Sequence, residues 1–214
     1  GAPSFTGTNA TGTNNAPSYS FSYAENSASG ASLGTLTASD PDGNTLSYSL
    51  TSGNADGWYA INSSTGVITL TAAGAASLAN DFEVTPNTRV LTAAVSDGSN
   101  TTTIEVKLTE TNVNDNGPTF TGTNATGTGN TPSYSFDYAE NSTTAVTLGQ
   151  VSATDADGSA LTFSITGGDP NGWFAIDATG KITLTTLGAA SVANDYEQAP
   201  NTQTLTVSVS DGTN

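Results

Sequence analysis

Apolar and polar residues alternate over short stretches of this chain: Leu46, Tyr48 and Leu50 against Ser47 and Ser49, then Leu161, Phe163 and Ile165 against Thr162 and Ser164. A period of two is what a half-buried antiparallel strand requires, because successive side chains leave opposite faces of the sheet. Strand-like stretches also cover residues 18–23, 33–38, 59–61, 67–71, 88–95 and 102–109, separated by clusters of Gly, Asn, Asp and Ser. About seven strands at this spacing predict a Greek-key β-sandwich. One segment breaks the alternation. AAGAASLANDFE, repeated as LGAASVANDYE, is rich in Ala with apolar residues about four apart, so it predicts one or two helical turns that end just before Asp81 and Glu83.

The sandwich pattern occurs twice. PSFTGTNATGTNNAPSYSFSYAENS at 3–27 realigns with PTFTGTNATGTGNTPSYSFDYAENS at 118–142, and Trp58 realigns with Trp173. The expected organisation is a first repeat at 1–111, a linker at 112–118 and a second repeat at 119–214. The second copy reaches only Asn214, the counterpart of Asn100, and so lacks a partner for the strand carrying Ile104, Val106 and Leu108. It is therefore expected to expose a sheet edge and part of its core. A repeat of roughly 100 residues can close one core without staples. The predicted fold is thus all-β, two tandem seven-stranded sandwiches, the second without its last strand.

Composition narrows the chemistry. The chain has no Cys, His or Met, which removes disulfides, Cys/His zinc sites, thiol catalysis and imidazole bases. Nineteen acids face three basic residues, a net charge of −16, so nucleic acid and anionic lipid are repelled and cations are the natural partners. No apolar run is long enough to span or enter a membrane. The abundance of Thr, Ser, Asn and Gly on presumptive strands points to an exported protein.

Most acids stand at repeated positions: Glu25 with Glu140, Asp40 and Asp42 with Asp155 and Asp157, Asp81 and Glu83 with Asp195 and Glu197, and Asp97 with Asp211. Between the copies, NVNDNGPTF at 112–120 reads as a linker but offers side-chain oxygens of the kind that hold calcium. An EF-hand at DPDGNTLS fails for want of Gly at its sixth position and Glu at its twelfth; DPDG also reads as an ordinary turn. Paired carboxylates serve glycosidases, yet acids repeated in tandem favour structure over catalysis, and no enzyme is expected. Tyr59 and Phe174 are expected to point inward, leaving Trp58 and Trp173 either to cover the ends of their sandwiches or to stack on a sugar.

The ordered signatures AEN, DPDG or DADG, GWYAI or GWFAI, TGxI, DFE or DYE, SDG and NVNDNGPTF resemble cadherin repeats, along nearly the whole chain. With the composition, they are similar to the bacterial cadherin-like repeats of very large secreted adhesins. The resemblance implies about three calcium ions at the junction between repeats. Glu25, Asp81 and Glu83 would be the base carboxylates of the first repeat. Asp115 would bridge two ions, the Asn114 side chain would face the third, and the carbonyls of Val113 and Asn116 would complete the linker. Asp155, Asp157, Asp211 and the Ser159 carbonyl would come from the second repeat. Asn112 stands where the family places Asp, which removes one carboxylate. Asp40, Asp42 and Asp97 at one end, and Glu140, Asp195 and Glu197 at the other, would form partial sites. The implied partners are neighbouring repeats, with other adhesin copies or surface glycans as direct ligands in the alternative reading, and the implied location is extracellular, on a bacterial cell surface. The stretch 7–15 lengthens the approach to the first main strand, as an extra strand or an adhesive loop.

Overall fold

The computed structural model describes residues 1–9, 12–123, 132–198 and 200–214. The chain divides into two compact units, Gly1–Val113 and Asn114–Asn214.

The first unit is a β-sandwich. Its strands are β1 (Ser4–Thr6), β2 (Ser18–Ala24), β3 (Ser32–Thr35), β4 (Thr37–Ser39), β5 (Ser47–Ser52), β6 (Tyr59–Ile61), β7 (Val67–Leu70), β8 (Thr88–Ser96) and β9 (Thr101–Thr111). One sheet has the order β2-β9-β8-β5 and the other β3-β7-β6, with β1 and β4 as a separate pair. The expected strand over 33–38 divides at Leu36, because β3 pairs with β7 while β4 pairs with β1, so the chain changes partner there. Antiparallel pairing holds with one exception: β2 runs parallel to β9, from Ser18 opposite Glu105 to Ala24 opposite Thr111.

Alternation places Leu91, Ala93 and Val95 of β8 and Ile104, Val106 and Leu108 of β9 in the core, with Tyr19, Leu36, Tyr59, Ile68 and Leu70 against them. Tyr59 and Phe174 both point inward, as the alternation predicts. The buried Tyr19 keeps its hydroxyl satisfied by donating to the Thr37 carbonyl at 2.8 Å and accepting the Thr37 amide at 3.0 Å, and it also bonds the Thr6 carbonyl. This fixes the β1–β4 pair to β2. Of the stretch 7–15, the described residues show a bridge between Asn9 and Ser18 and a hydroxyl bond from Thr13 to Glu105 at 2.6 Å. They fold back onto the sandwich as a loop. The repeated segment at 124–131 lies outside the described residues.

The second unit repeats this plan with β10 (Thr119–Thr121), β11 (Thr147–Gln150), β12 (Ser152–Thr154), β13 (Thr162–Gly167), β14 (Phe174–Ile176), β15 (Lys181–Leu184) and β16 (Thr206–Ser210). Tyr134 reproduces the Tyr19 tie, accepting the Ser152 amide at 3.0 Å. Residues 134–139, the counterpart of β2, form no strand. Phe136 in that stretch is 41 % exposed, and the buried core of this unit is Leu148, Val151, Phe174, Ile182 and Leu184.

Candidate metal centres

At the base of the first unit, a short helix α1 (Ala72–Ala75) is capped by Thr71, whose hydroxyl accepts the Gly74 amide at 3.1 Å. A 3-10 turn (Leu78–Asn80) follows, so Asp81 and Glu83 do emerge just after helical turns. The buried Asn80 donates to the carbonyls of Ser27 at 3.1 Å and Ala75 at 3.2 Å, and its own carbonyl accepts the Asn26 amide at 3.0 Å. Asn26 adopts φ 55°, the left-handed turn that Asn tolerates. The AEN and DFE motifs are thereby clipped together.

Glu25 is 3 % exposed, and its two oxygens accept different backbone amides: Phe82 at 2.7 Å and Val113 at 2.6 Å. One carboxylate thus ties the acidic loop to the end of the first unit. Glu25 and Glu83 offer oxygens within 4.8 Å of each other, while Asp81 accepts the Glu83 amide at 3.2 Å. Asn112 is exposed. At the opposite end, Asp40 accepts the amides of Asp42 and Asn44, and Asp42 pairs with the terminal ammonium of Gly1. Hydrogen bonds from the backbone and side chain of Asn100, then the backbone of Ser99, pull the Asp97 carboxyl down to about 2. Asp97 is thus anionic at any physiological pH.

The second unit carries matching groups. Asp155 accepts the Ser159 amide at 3.0 Å, and Asp211 is lowered by the backbone amide of Asn214 and that of Thr213. Asp157 accepts the backbone amide of Asn116 at 2.8 Å, and Asn116 also reaches the Asp115 carboxylate at 2.8 Å. Asp115 and Asp157 approach within 4.8 Å of each other. At the other end Glu140, Asp195 and Glu197 form a cluster at the same spacing, with Glu140 accepting the Tyr196 amide at 2.8 Å. The Glu197 carboxyl is pushed up, chiefly by its hydrogen bond to Asp195 and then by the Glu140 charge. Adjacent anions of this kind favour a shared proton or a cation.

These residues fit a hard cation on two counts. Among the described residues, Asp40 Oδ2 and Asp155 Oδ2 are buried and accept no hydrogen bond, a costly state for an anionic oxygen unless a cation takes it up. The Asn114 amide also turns one atom to within 3.1 Å of Asp157 Oδ2, 3.0 Å of Ser159 Oγ and 3.0 Å of Asp211 Oδ2. With NH2 there, Asn114 donates to the carboxylates; with the carbonyl there, it joins them as an oxygen ligand and requires a cation among them. Carboxylates and an amide oxygen are calcium donors, too hard for copper or zinc thiolate chemistry.

One acid at the base of the first unit escaped the sequence reading. Glu110 continues the inward series Ile104, Val106, Leu108 and is 2 % exposed, with no hydrogen bond to either oxygen. Burial, then the charges of Glu25 and Asp81, push its carboxyl up to about 7, against a smaller lowering by Arg89. The signal was present as an acid at an apolar phase of the strand. The tryptophans pack against their own cores, and the Arg89 guanidinium lies over the Trp58 ring at 4.4 Å from its centroid. That face of Trp58 is covered by protein.

Comparison with known proteins yields a match of the cadherin domain model to residues 19–73 and 134–214. Mouse protocadherin Fat 4 is 33 % identical over 183 residues, 82 % of this chain and 3 % of that protein. Mouse cadherin-17 is 40 % identical over 94 residues, 44 % of this chain and 11 % of that protein. The chain thus spans a small fraction of these relatives. Among solved structures, the extracellular cadherin domains 3–6 of protocadherin gamma B2 match with a TM-score of 0.71 at 22 % identity, covering 97 % of this chain and 48 % of that one. The first two such domains of human protocadherin-24 match at 0.62 and 25 % identity, covering 97 % and 93 %. These relatives are animal proteins, so the expected bacterial source draws no support from them.

Proposed function

Since this chain belongs to the cadherin domain family, we propose that it is a calcium-dependent structural and adhesion module, in which ions at the junction of its repeats stiffen a tandem array. Its repeats are all-β cadherin-like modules, and this reading gives them a structural rather than a catalytic role. In this reading Glu25, Asp81 and Glu83, the linker residues Asn112, Val113, Asn114, Asp115 and Asn116, and Asp155, Asp157, Ser159 and Asp211 hold about three ions. Asp40, Asp42 and Asp97, and likewise Glu140, Asp195 and Glu197, serve further junctions with neighbouring repeats. Calcium supplies the positive charge that lets these carboxylates share one site; the protein's own residues fix the oxygens in place.

The supporting observation is the buried, unpartnered Asp155 Oδ2, together with the convergence of Asp157 and Asp211 oxygens on the Asn114 side-chain amide. Without a cation the like charges repel across a short polar linker. With one, oxygens from both repeats are bridged. Sites of extracellular-module affinity, about 0.1–1 mM, fill outside a cell and empty inside it, so in this reading the module works outside the cell. The bridge would make length and stiffness the mechanical output. Small-angle scattering in calcium and in chelator tests this: a longer, narrower distance distribution in calcium is expected, and identical distributions in the two conditions refute it.

A further inference from the structure

The first unit buries a charge that the calcium reading leaves unused. Glu110 lies on the inward face of β9, where Ile104, Val106 and Leu108 set an apolar register, and an apolar residue there would complete the core. An unpartnered buried carboxylate destabilises a fold. Of the groups able to neutralise it, Tyr23, directly opposite on β2, shares a hydrogen bond with the Tyr59 hydroxyl at 3.2 Å, and Arg89, which lies over Trp58, offsets only part of the effect of burial and the neighbouring acids. Glu110 stands at the end of the β2–β9 ladder, where Tyr23 faces it and the Glu25 amide donates to the Thr111 carbonyl at 3.1 Å, and the charges of Glu25, Asp81 and Glu83 all act to raise its carboxyl. Two residues further along the chain, Asn112 offers an amide where the family resemblance calls for a carboxylate. The arrangement is particular to this repeat, since Phe174 and Gln203 replace Tyr59 and Arg89 in the second copy.

We infer that Glu110 is a positioning residue for calcium at the base of the first repeat: a buried carboxyl at the same end of the sandwich as Glu25 whose ionised form strengthens cation binding at the expense of the metal-free fold. The inference rests on the calcium reading above. In this role Glu110 acts through its charge rather than as a ligand. The field of a buried anion persists where that of a hydrated one is screened away. Charge at this position and stability without metal therefore trade against each other.

The test follows the Phe82 and Val113 amide signals, which report on Glu25, during calcium titration of the whole chain and of Glu110→Gln and Glu110→Val. Removal of the charge is expected to weaken binding about tenfold while raising the unfolding midpoint in chelator. Titration of both variants within about twofold of the parent overturns the inference, as does a variant that binds more weakly and is also less stable in chelator, which marks a purely structural role. If the parent signals do not respond to about 10 mM calcium, far above extracellular-module affinities, the calcium reading itself fails. A responding parent with unresponsive variants differs from that outcome, and supports the role of Glu110.

Discussion

Replacing Glu25 by Gln separates the structural work of this carboxylate from its work as a ligand. Its two oxygens accept the Phe82 and Val113 amides at 2.7 and 2.6 Å, short charge-assisted bonds worth roughly 1.5–3 kcal/mol each. Gln keeps the shape but only one acceptor, so its NH2 faces one of the two N–H donors and leaves it unsatisfied, at a cost of roughly 1–3 kcal/mol. Relief of repulsion from the half-buried Asp81 and Glu83 and the buried Glu110 returns about 1 kcal/mol of this at the effective dielectric of a protein. The lost hydrogen bond wins, and the variant in chelator should be about 1–2 kcal/mol less stable, a fall in midpoint of about 5–10 °C for a domain of this size. Calcium at about 10 mM should stabilise the parent by a further 1.4–2.7 kcal/mol or so per site, and the variant by much less. Thermal unfolding with hydrogen exchange at Phe82 and Val113 reads both effects. Parental stability in chelator with unchanged protection of those two amides would refute the reasoning.

Three further outcomes follow from the same geometry. Gly74→Ala and Gly188→Ala should each destabilise their unit by about 1–3 kcal/mol, because the added Cβ meets the carbonyl oxygen of Trp58 or Trp173, backbone that cannot yield; the gain in helix propensity of about 1 kcal/mol is smaller, and a raised midpoint in denaturant melts would contradict this. The raised carboxyl of Glu110 makes the metal-free first unit more stable when that group is protonated. Its contribution is fully present below its ordinary value of 4.5 and is lost as pH rises through about 7. Stability in chelator should therefore decline across that window in the parent and more shallowly in Glu110→Gln. Finally, the Asn114 side-chain amide protons should be protected in chelator, where they donate to Asp157 and Asp211, and should exchange faster once calcium turns the carbonyl inward; equal protection in both conditions would count against that rotation.

Local pattern alone settled a good deal. Residue alternation specified the β-sandwich strands, the inward Tyr59 and Phe174 and the helical turns before Asp81, because the side-chain period is a property of the backbone itself. The doubling of the acids pointed to a metal before any geometry was known, because like charges at repeated positions need a common cause. Tertiary structure decided what depends on partners remote in sequence. The break at Leu36 arises from two pairings, β3 with β7 and β4 with β1, that no local window contains. The two roles of Glu25 depend on amides 57 and 88 residues away. Glu110 shows the limit most clearly: its phase on β9 was legible from Ile104, Val106 and Leu108, but only the packed structure sets Tyr23 opposite it with its hydroxyl bonded to Tyr59 and brings the charges of Glu25 and Asp81 to bear on it. Sequence determined which groups point inward; the meeting of distant segments determined which charges they would face.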